Sequence, residues 1–274
     1  MLKFSMLTIA MVSSYAIADD IEHISVYANR QSQPVNETLT SLTVLDREQI
    51  LKSQVRDLPA LLNLVAGVSV SRSGGRGQLS SVFVRGGNSG HTLILLDGVR
   101  IGSATLGYQS LALVPLEQIE KIEIIRGPKA AWYGSDALAG VIAITTRKDE
   151  RTELNVSLGS FGQAEASVGG SVKRDDLRLF ASVGSAHGDG FSATTNGDPD
   201  RDGFSQHYLK LGADYQTKFG DFGWQSNINN GFYEFDTSWG GDQADTQQDS
   251  HQLSWQGDVL GTTQQLRVSR SVDE

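Results

Sequence analysis

Residues 79–146 read LSSVFVRGGNSGHTLILLDGVRIGSATLGYQSLALVPLEQIEKIEIIRGPKAAWYGSDALAGVIAITT. Short apolar runs at Val82–Val84, Thr92–Leu96 and Ile119–Ile125 have strand character, and each is closed by glycine. Asp97-Gly98 is a strong hairpin turn, since both residues tolerate positive φ. Tyr133–Asp136 turns the chain into a further strand, Val141–Thr145. Two of the runs carry an arginine immediately before glycine, Arg85-Gly86 and Arg126-Gly127.

Upstream, Thr40–Leu45 reads as a strand. Asp46 with Gln49 three residues on is a capping box that opens a helix to about Ser53. Asp57 caps a second helix, with Pro59 in its first turn and a glycine stop at Gly67. Ser71–Gly77 is a Gly-rich loop. No Lys-Ser/Thr pair follows it and the next element is a strand, so it is no phosphate cradle. Residues 41–147 thus form an α+β domain.

Downstream the pattern switches to strict alternation. Leu154, Val156 and Leu158 share one face, as do Ala164, Ala166 and Val168. The pattern recurs through Leu177–Val183, Leu209–Tyr215, Phe222–Ile228, Leu253–Val259 and Leu266–Val268. About seven strands result, many near the ~9–11 residues that a tilted membrane strand needs. Short turns at Lys173–Asp176, Lys218–Asp221 and Leu260–Thr262 alternate with long polar loops at Ser185–His207 and Gly231–Ser250. Long loops then gather at one end, as in outer-membrane barrels. A soluble antiparallel sandwich is the alternative.

Composition narrows the class. A formal charge of −9, from 32 acidic and 23 basic residues, argues against nucleic-acid binding. The absence of cysteine excludes disulfides and thiolate metal sites. Residues 1–18 read as a signal peptide: Lys3, an apolar run too short to span a bilayer, and a small-x-small site at Ala16–Ala18. The polar tail 19–40 holds one extended patch, Glu22-His23-Ile24-Ser25-Val26-Tyr27-Ala28. It is either a disordered terminus or a docking strand for a partner sheet. His23, His91, His187, His207 and His251 are scattered, and no catalytic set has a defined context, so no enzyme is expected.

LPALLNLVAGVSV, VRGGNSGHTLILLDGVRI and IEKIEIIRGPKAAWYGSDALAGVIAITT resemble, in order and spacing, the plug signatures of TonB-dependent outer-membrane receptors. One departure is Ala66, where that family often has proline. GGRGQLSSVFVRG, YGSDALAGVIAITTR and DPDRDGF (Asp198–Phe204) look like the family's cobalamin (vitamin B12) transporters. The resemblance implies an α+β plug followed by the first, antiparallel transmembrane strands of a β-barrel, incomplete at about seven strands. Residues 148–274 would begin that barrel, and the chain would be a truncated piece that does not transport by itself.

The resemblance also implies roles. Glu22–Ala28 sits where the family carries its TonB box, the docking strand for TonB in the inner membrane. Substrate would meet the apex of the plug at Arg72, Gly74, Gly75 and Gln78, and at Ser103, Thr105, Leu106 and Tyr108. Arg85 and Arg126 resemble plug arginines that pair with barrel glutamates, a plug–barrel lock. Asp189, Asp200, Asp202, Asp236 and Asp245 lie in two neighbouring extracellular loops, with Asn196 and Asp198 nearby. Hard oxygen ligands suit calcium, with which the cobalamin transporters order these loops. The expectation is a Gram-negative outer-membrane receptor for cobalamin, in contact with membrane lipid. The alternatives are a receptor for an iron–siderophore or other large ligand, and a soluble exported calcium-binding module.

Overall fold

The computed structural model describes residues 25–26, 33–34, 41–102, 111–148, 150–192, 200–236 and 242–273. In the tail, β1 (Ser25–Val26) and β2 (Gln33–Pro34) pair antiparallel, Ser25 opposite Pro34. The remaining residues of the expected docking strand lie outside the described set, as do Ser103, Thr105, Leu106 and Tyr108.

The first domain is built on a sheet in the order β3 (Ser41–Asp46), β8 (Ile119–Arg126), β9 (Gly140–Thr146), β6 (Thr92–Leu96), β7 (Val99–Ile101). Only β6 and β9 run parallel. On one face, Ile94, Leu96, Ile122, Ile124, Ile142 and Ile144 pack with Leu58 and Leu62. On the other, Leu93, Leu95, Ile125 and Val141 meet Ala137. Cover on both faces explains why β6 is buried at every position, and apolar at all but Thr92.

The N-caps read in the sequence are present, but the second helix ends at Asn63, short of the expected stop at Gly67. Asp46 opens α1 (Arg47–Ser53), accepting from the Gln49 N–H at 2.8 Å, while Gln49 Oε1 accepts from the Asp46 N–H at 3.3 Å. Asp57 opens α2 (Leu58–Asn63), accepting from the Ala60 N–H at 2.8 Å. Asp97 and Gly98 turn β6 into β7 with φ of 50° and 81°. Two elements were not expected. Val68–Arg72 (β4) pairs with Ser80–Val84 (β5), so the Gly-rich segment is a hairpin tip. Ala130–Tyr133 forms a short helix, α3, ahead of the turn at Gly134.

The second sheet contains β10 (Glu153–Leu158), β11 (Ala164–Arg174), β12 (Leu177–Gly188), β13 (Phe204–Thr217), β14 (Gly220–Glu234), β15 (Gln243–Val259) and β16 (Thr262–Asp273), in that order and all antiparallel. It is open: β10 and β16 are its edges among the described residues. The expected loop limits need correction. Ladder pairing continues to Gly188↔Phe204 and Glu234↔Gln243, well into the segments read as loops. At 14, 15 and 17 residues, β13, β14 and β15 exceed what a bilayer requires. Their outer ends are wet on the outside, so hydrophobic alternation no longer marks them.

Faces of this wall are inverted relative to a soluble sheet. Leu154, Val168, Val183, Leu209, Leu211 and Trp224 stand outward and exposed. Gln206, Lys210, Gln225, Asn227 and Gln248 are buried on the inner side. Following one register row, Leu154, Val168, Val183, Leu209, Ile228 and Asp249 are successive partners. The next row runs from Val156 through Ala166, Ser185, His207 and Asn230 to Gln247. Apolar on β10 and polar on β15, these rows cross the apolar band obliquely. Strands tilted about 35–45° in a membrane produce such a slope, because hydrogen-bonded partners then lie at different depths.

Candidate functional site

The hairpin tip between β4 and β5 meets the outer ends of the wall. Gln78 is 2% exposed, and its Nε2 donates to the Glu234 carbonyl at 2.6 Å. A Cβ on Gly74 would stand 2.6 Å from Gln78 Oε1, so the amide lies flat on the glycine. Gly75 faces the Phe191 ring, which pairs with Phe161 at a centroid distance of 5.5 Å. A Cβ on Gly77 would come within 2.5 Å of Phe204. Arg72 turns back into its own domain and ion-pairs with Asp57, the α2 cap. Arg76, in the same Gly-rich stretch, ion-pairs with Glu165 and lies 5.4 Å over the Phe204 ring.

Beside this tip, Asp200, Asp202 and Asp236 converge, with ligand oxygens all within 4.8 Å of one another. Asp202 is buried at 2% exposure. Asp200 and Asp202 precede β13, and Asp236 follows β14. These adjacent strand ends bring distant sequence positions together. Asp189 lies apart from the trio, over Gly162, with Arg201 Nη1 at 3.8 Å. Asp245 is exposed on β15, in register with Phe232. Hard carboxylate oxygens at this spacing fit a calcium ion, whose remaining ligands can be carbonyls and waters. Asn196 and Asp198 are outside the described residues.

Arg126 donates from Nε to the Ala66 carbonyl at 2.9 Å and from Nη2 to Thr43 Oγ1 at 2.6 Å. Arg85 holds φ of 51°, and its guanidinium lies near Gly127. Burial, and then the charge of Arg85, hold the Arg126 pKa below its ordinary value. Among the described residues no carboxylate ion-pairs with either arginine. Two crowded cations are the arrangement an anionic partner would relieve.

Deeper in the seam, the Asp97 carboxylate accepts from the Thr146 N–H at 2.8 Å, from Thr146 Oγ1 at 2.6 Å, and from Gln225 Nε2 of the wall. Lys210 Nζ donates to Thr146 Oγ1 and, at 2.8 Å, to the Arg147 carbonyl. Lys148 pairs with Asp214 at 3.0 Å, and Lys148 and Lys210 flank the Phe180 ring. The seam is also keyed by close packing. Phe204 sits on Gly77, the Arg267 guanidinium lies on Gly98, and Leu113 of the first domain reaches Gly231 of the wall. None of these pairs has a local sequence signal.

An α+β stopper tied to the polar inner face of an outward-apolar, antiparallel wall is the architecture of a plugged outer-membrane barrel. Residues 34–141 match the TonB-dependent Receptor Plug Domain. The chain belongs to the TonB-dependent receptors, which places it in the outer membrane. It is 43% identical over 179 residues to the "Vitamin B12 transporter BtuB" of Vibrio vulnificus (strain CMCP6), covering 62% of this chain and 29% of that protein. It is 33% identical over 255 residues to the protein of the same name from Vibrio cholerae serotype O1 (strain ATCC 39541), covering 86% and 41%. The chain therefore spans less than half the length of these curated relatives.

Among solved structures it resembles the siderophore receptor PirA from Acinetobacter baumannii, with TM-score 0.66, 22% identity and coverage of 86% and 40%. The ferric yersiniabactin uptake receptor FyuA from Yersinia pestis gives TM-score 0.64 at 18% identity, covering 81% and 39%. At those identities the likeness is one of fold. No helix among the described residues is long and apolar enough to cross a membrane.

Proposed function

We propose that this chain is the plug and part of the wall of a transporter, not an enzyme, that takes up cobalamin across the outer membrane, with calcium ordering its extracellular end. The observation that carries the reading is the convergence of Asp200, Asp202 and Asp236 beside the hairpin tip 72–78. The identity to vitamin B12 transporters supports the choice of substrate.

Residues 1–18 direct export, and the tail around Glu22–Ala28 docks TonB. Substrate is received by the tip, through Gly74, Gly75 and Gln78, and by the segment holding Ser103, Thr105, Leu106 and Tyr108. Arg72 supports the tip from within. Asp189 and Asp245 extend the acidic surface around the calcium trio. Arg85 and Arg126 lock the plug to glutamates of the barrel. The outward face of β10–β16 contacts lipid.

Equilibrium binding of cyanocobalamin to the intact receptor in outer membranes tests this. Calcium should tighten binding about tenfold or more, and Asp202→Asn should remove that gain. An iron–siderophore receptor is the alternative on the same fold. Calcium-indifferent binding of a ferric siderophore, with none of cobalamin, would establish it instead.

A further inference from the structure

Glu234 ends β14 immediately inside the acidic trio, and its groups face opposite ways. Toward the trio, its carboxylate Oε2 accepts from the Gly203 N–H at 2.8 Å, and its own N–H donates to the Gly203 carbonyl at 3.0 Å. Gly203 directly follows Asp202. Toward the plug, the Glu234 carbonyl accepts from Gln78 Nε2 at 2.6 Å. Gln78 Oε1 is buried without a hydrogen-bond partner among the described residues, so this one bond fixes the amide. Gly203 is as constrained as its partner: a Cβ there would lie 3.0 Å from Glu234 Oε2 and 3.1 Å from the Gly188 carbonyl. Phe204, the next residue, packs on Gly77 of the same tip.

We propose that Glu234 is a positioning residue that couples the acidic strand ends to the plug's substrate-facing tip, so that order at one imposes order at the other. The coupling rests on the reading that the tip receives substrate. Its physical basis is a short chain of bonded groups: Asp202, Gly203, the Glu234 side chain, the Glu234 carbonyl, Gln78. Moving the acidic ends displaces Gly203. That pulls Glu234 through its N–H and through its side chain, which doubles the grip of the backbone bond, and the Gln78 amide has no second hydrogen bond to hold it. The ion pair of Arg76 with Glu165 anchors the tip to β11, and leaves residues 73–75 to follow Gln78.

The test uses the intact receptor in outer membranes, with Ser73→Cys carrying a nitroxide label. Ser73 is exposed, and the chain has no native cysteine. In Glu234→Ala the label should become mobile, and ligand affinity should fall about five- to tenfold with maximal uptake rate unchanged. Glu234→Gln keeps a side-chain oxygen that can accept from Gly203, so it should restore the wild-type spectrum. Gln78→Leu cuts the same chain from the plug side and should loosen the label while leaving calcium binding intact. An immobile label in Glu234→Ala overturns the proposal. So does a label equally mobile in Glu234→Gln, since the acceptor would then be irrelevant.

A chelator arm separates this from the reading above. If calcium orders the wild-type tip, chelation should mobilise its label, and Glu234→Ala should be mobile with or without calcium. A wild-type label indifferent to chelation removes calcium from the scheme, and the Glu234 link is then judged by the two substitutions alone. Failure of cobalamin to bind leaves the label spectra, and hence this judgement, untouched.

Discussion

The plug sheet hides Ile94, Ile122, Ile124 and Ile142 and turns polar groups toward its rim. The wall sheet hides Gln206, Lys210, Gln225 and Asn227 and turns Leu209, Leu211 and Trp224 outward. Both are mostly antiparallel, but the plug sheet is covered on both faces and the wall on one, and their chemistry is reversed. The medium outside each explains the reversal. Around a plug inside a barrel there is water and polar wall, so its apolar side chains must find each other. Outside the wall there is hydrocarbon, so apolar side chains lose nothing by exposure there. The polar ones face the only surface able to satisfy their hydrogen bonds. The seam is therefore held by hydrogen bonds and ion pairs such as Lys148 with Asp214.

Breaking the plug's side of the contrast should have the largest effect. Ile142→Ala, at a fully buried position, should cost about 2–5 kcal/mol of plug stability. Urea titration followed by amide exchange in β8 and β9 measures it, and a loss well under that range would mean that the wall, not the core, holds the plug together. Next comes the wall's outward face. Leu211→Arg should cost about 2–4 kcal/mol if that face meets mid-bilayer, and little if it meets water. Folding into lipid vesicles separates these outcomes. The smallest effect belongs to the seam. Gln225→Ala removes one donor from Asp97 but leaves both Thr146 bonds, and should cost about 1 kcal/mol. Faster exchange at the Thr146 amide, with β14 unchanged, would sharpen the contrast between dry core and bonded seam.

Local rules made much of the fold legible. Asp46 with Gln49, Asp57 with Pro59, and Asp97-Gly98 each act within a few residues, and the structure uses each as read. Alternation located the wall because lipid on one face enforces it. It failed at Gly188, Phe204, Glu234 and Gln243, where the ladder outlives the hydrocarbon and only backbone pairing continues. Part of the acidic cluster was legible, since Asp200-Arg201-Asp202 is a local pattern and loop neighbourhood followed from strand order. Which of the acidic residues meet was not, because strand ends decide it. The ties from Gln78 to Glu234 and from Arg76 to Glu165 span 156 and 89 residues, beyond any periodicity.

The glycine contacts of the seam have a geometric consequence. Phe204 on β13, Leu113 against β14 and Arg267 on β16 each occupy a place where the opposite surface has no side chain. The contact at Gly77 is with the Phe204 Cβ itself, which no rotamer change relieves, whereas the Arg267 guanidinium and the Leu113 methyl are ends of flexible side chains and yield more easily. Sliding the plug across β13 therefore requires the backbone of the β4–β5 tip or of β13 to give way first, so that one notch acts as the stop.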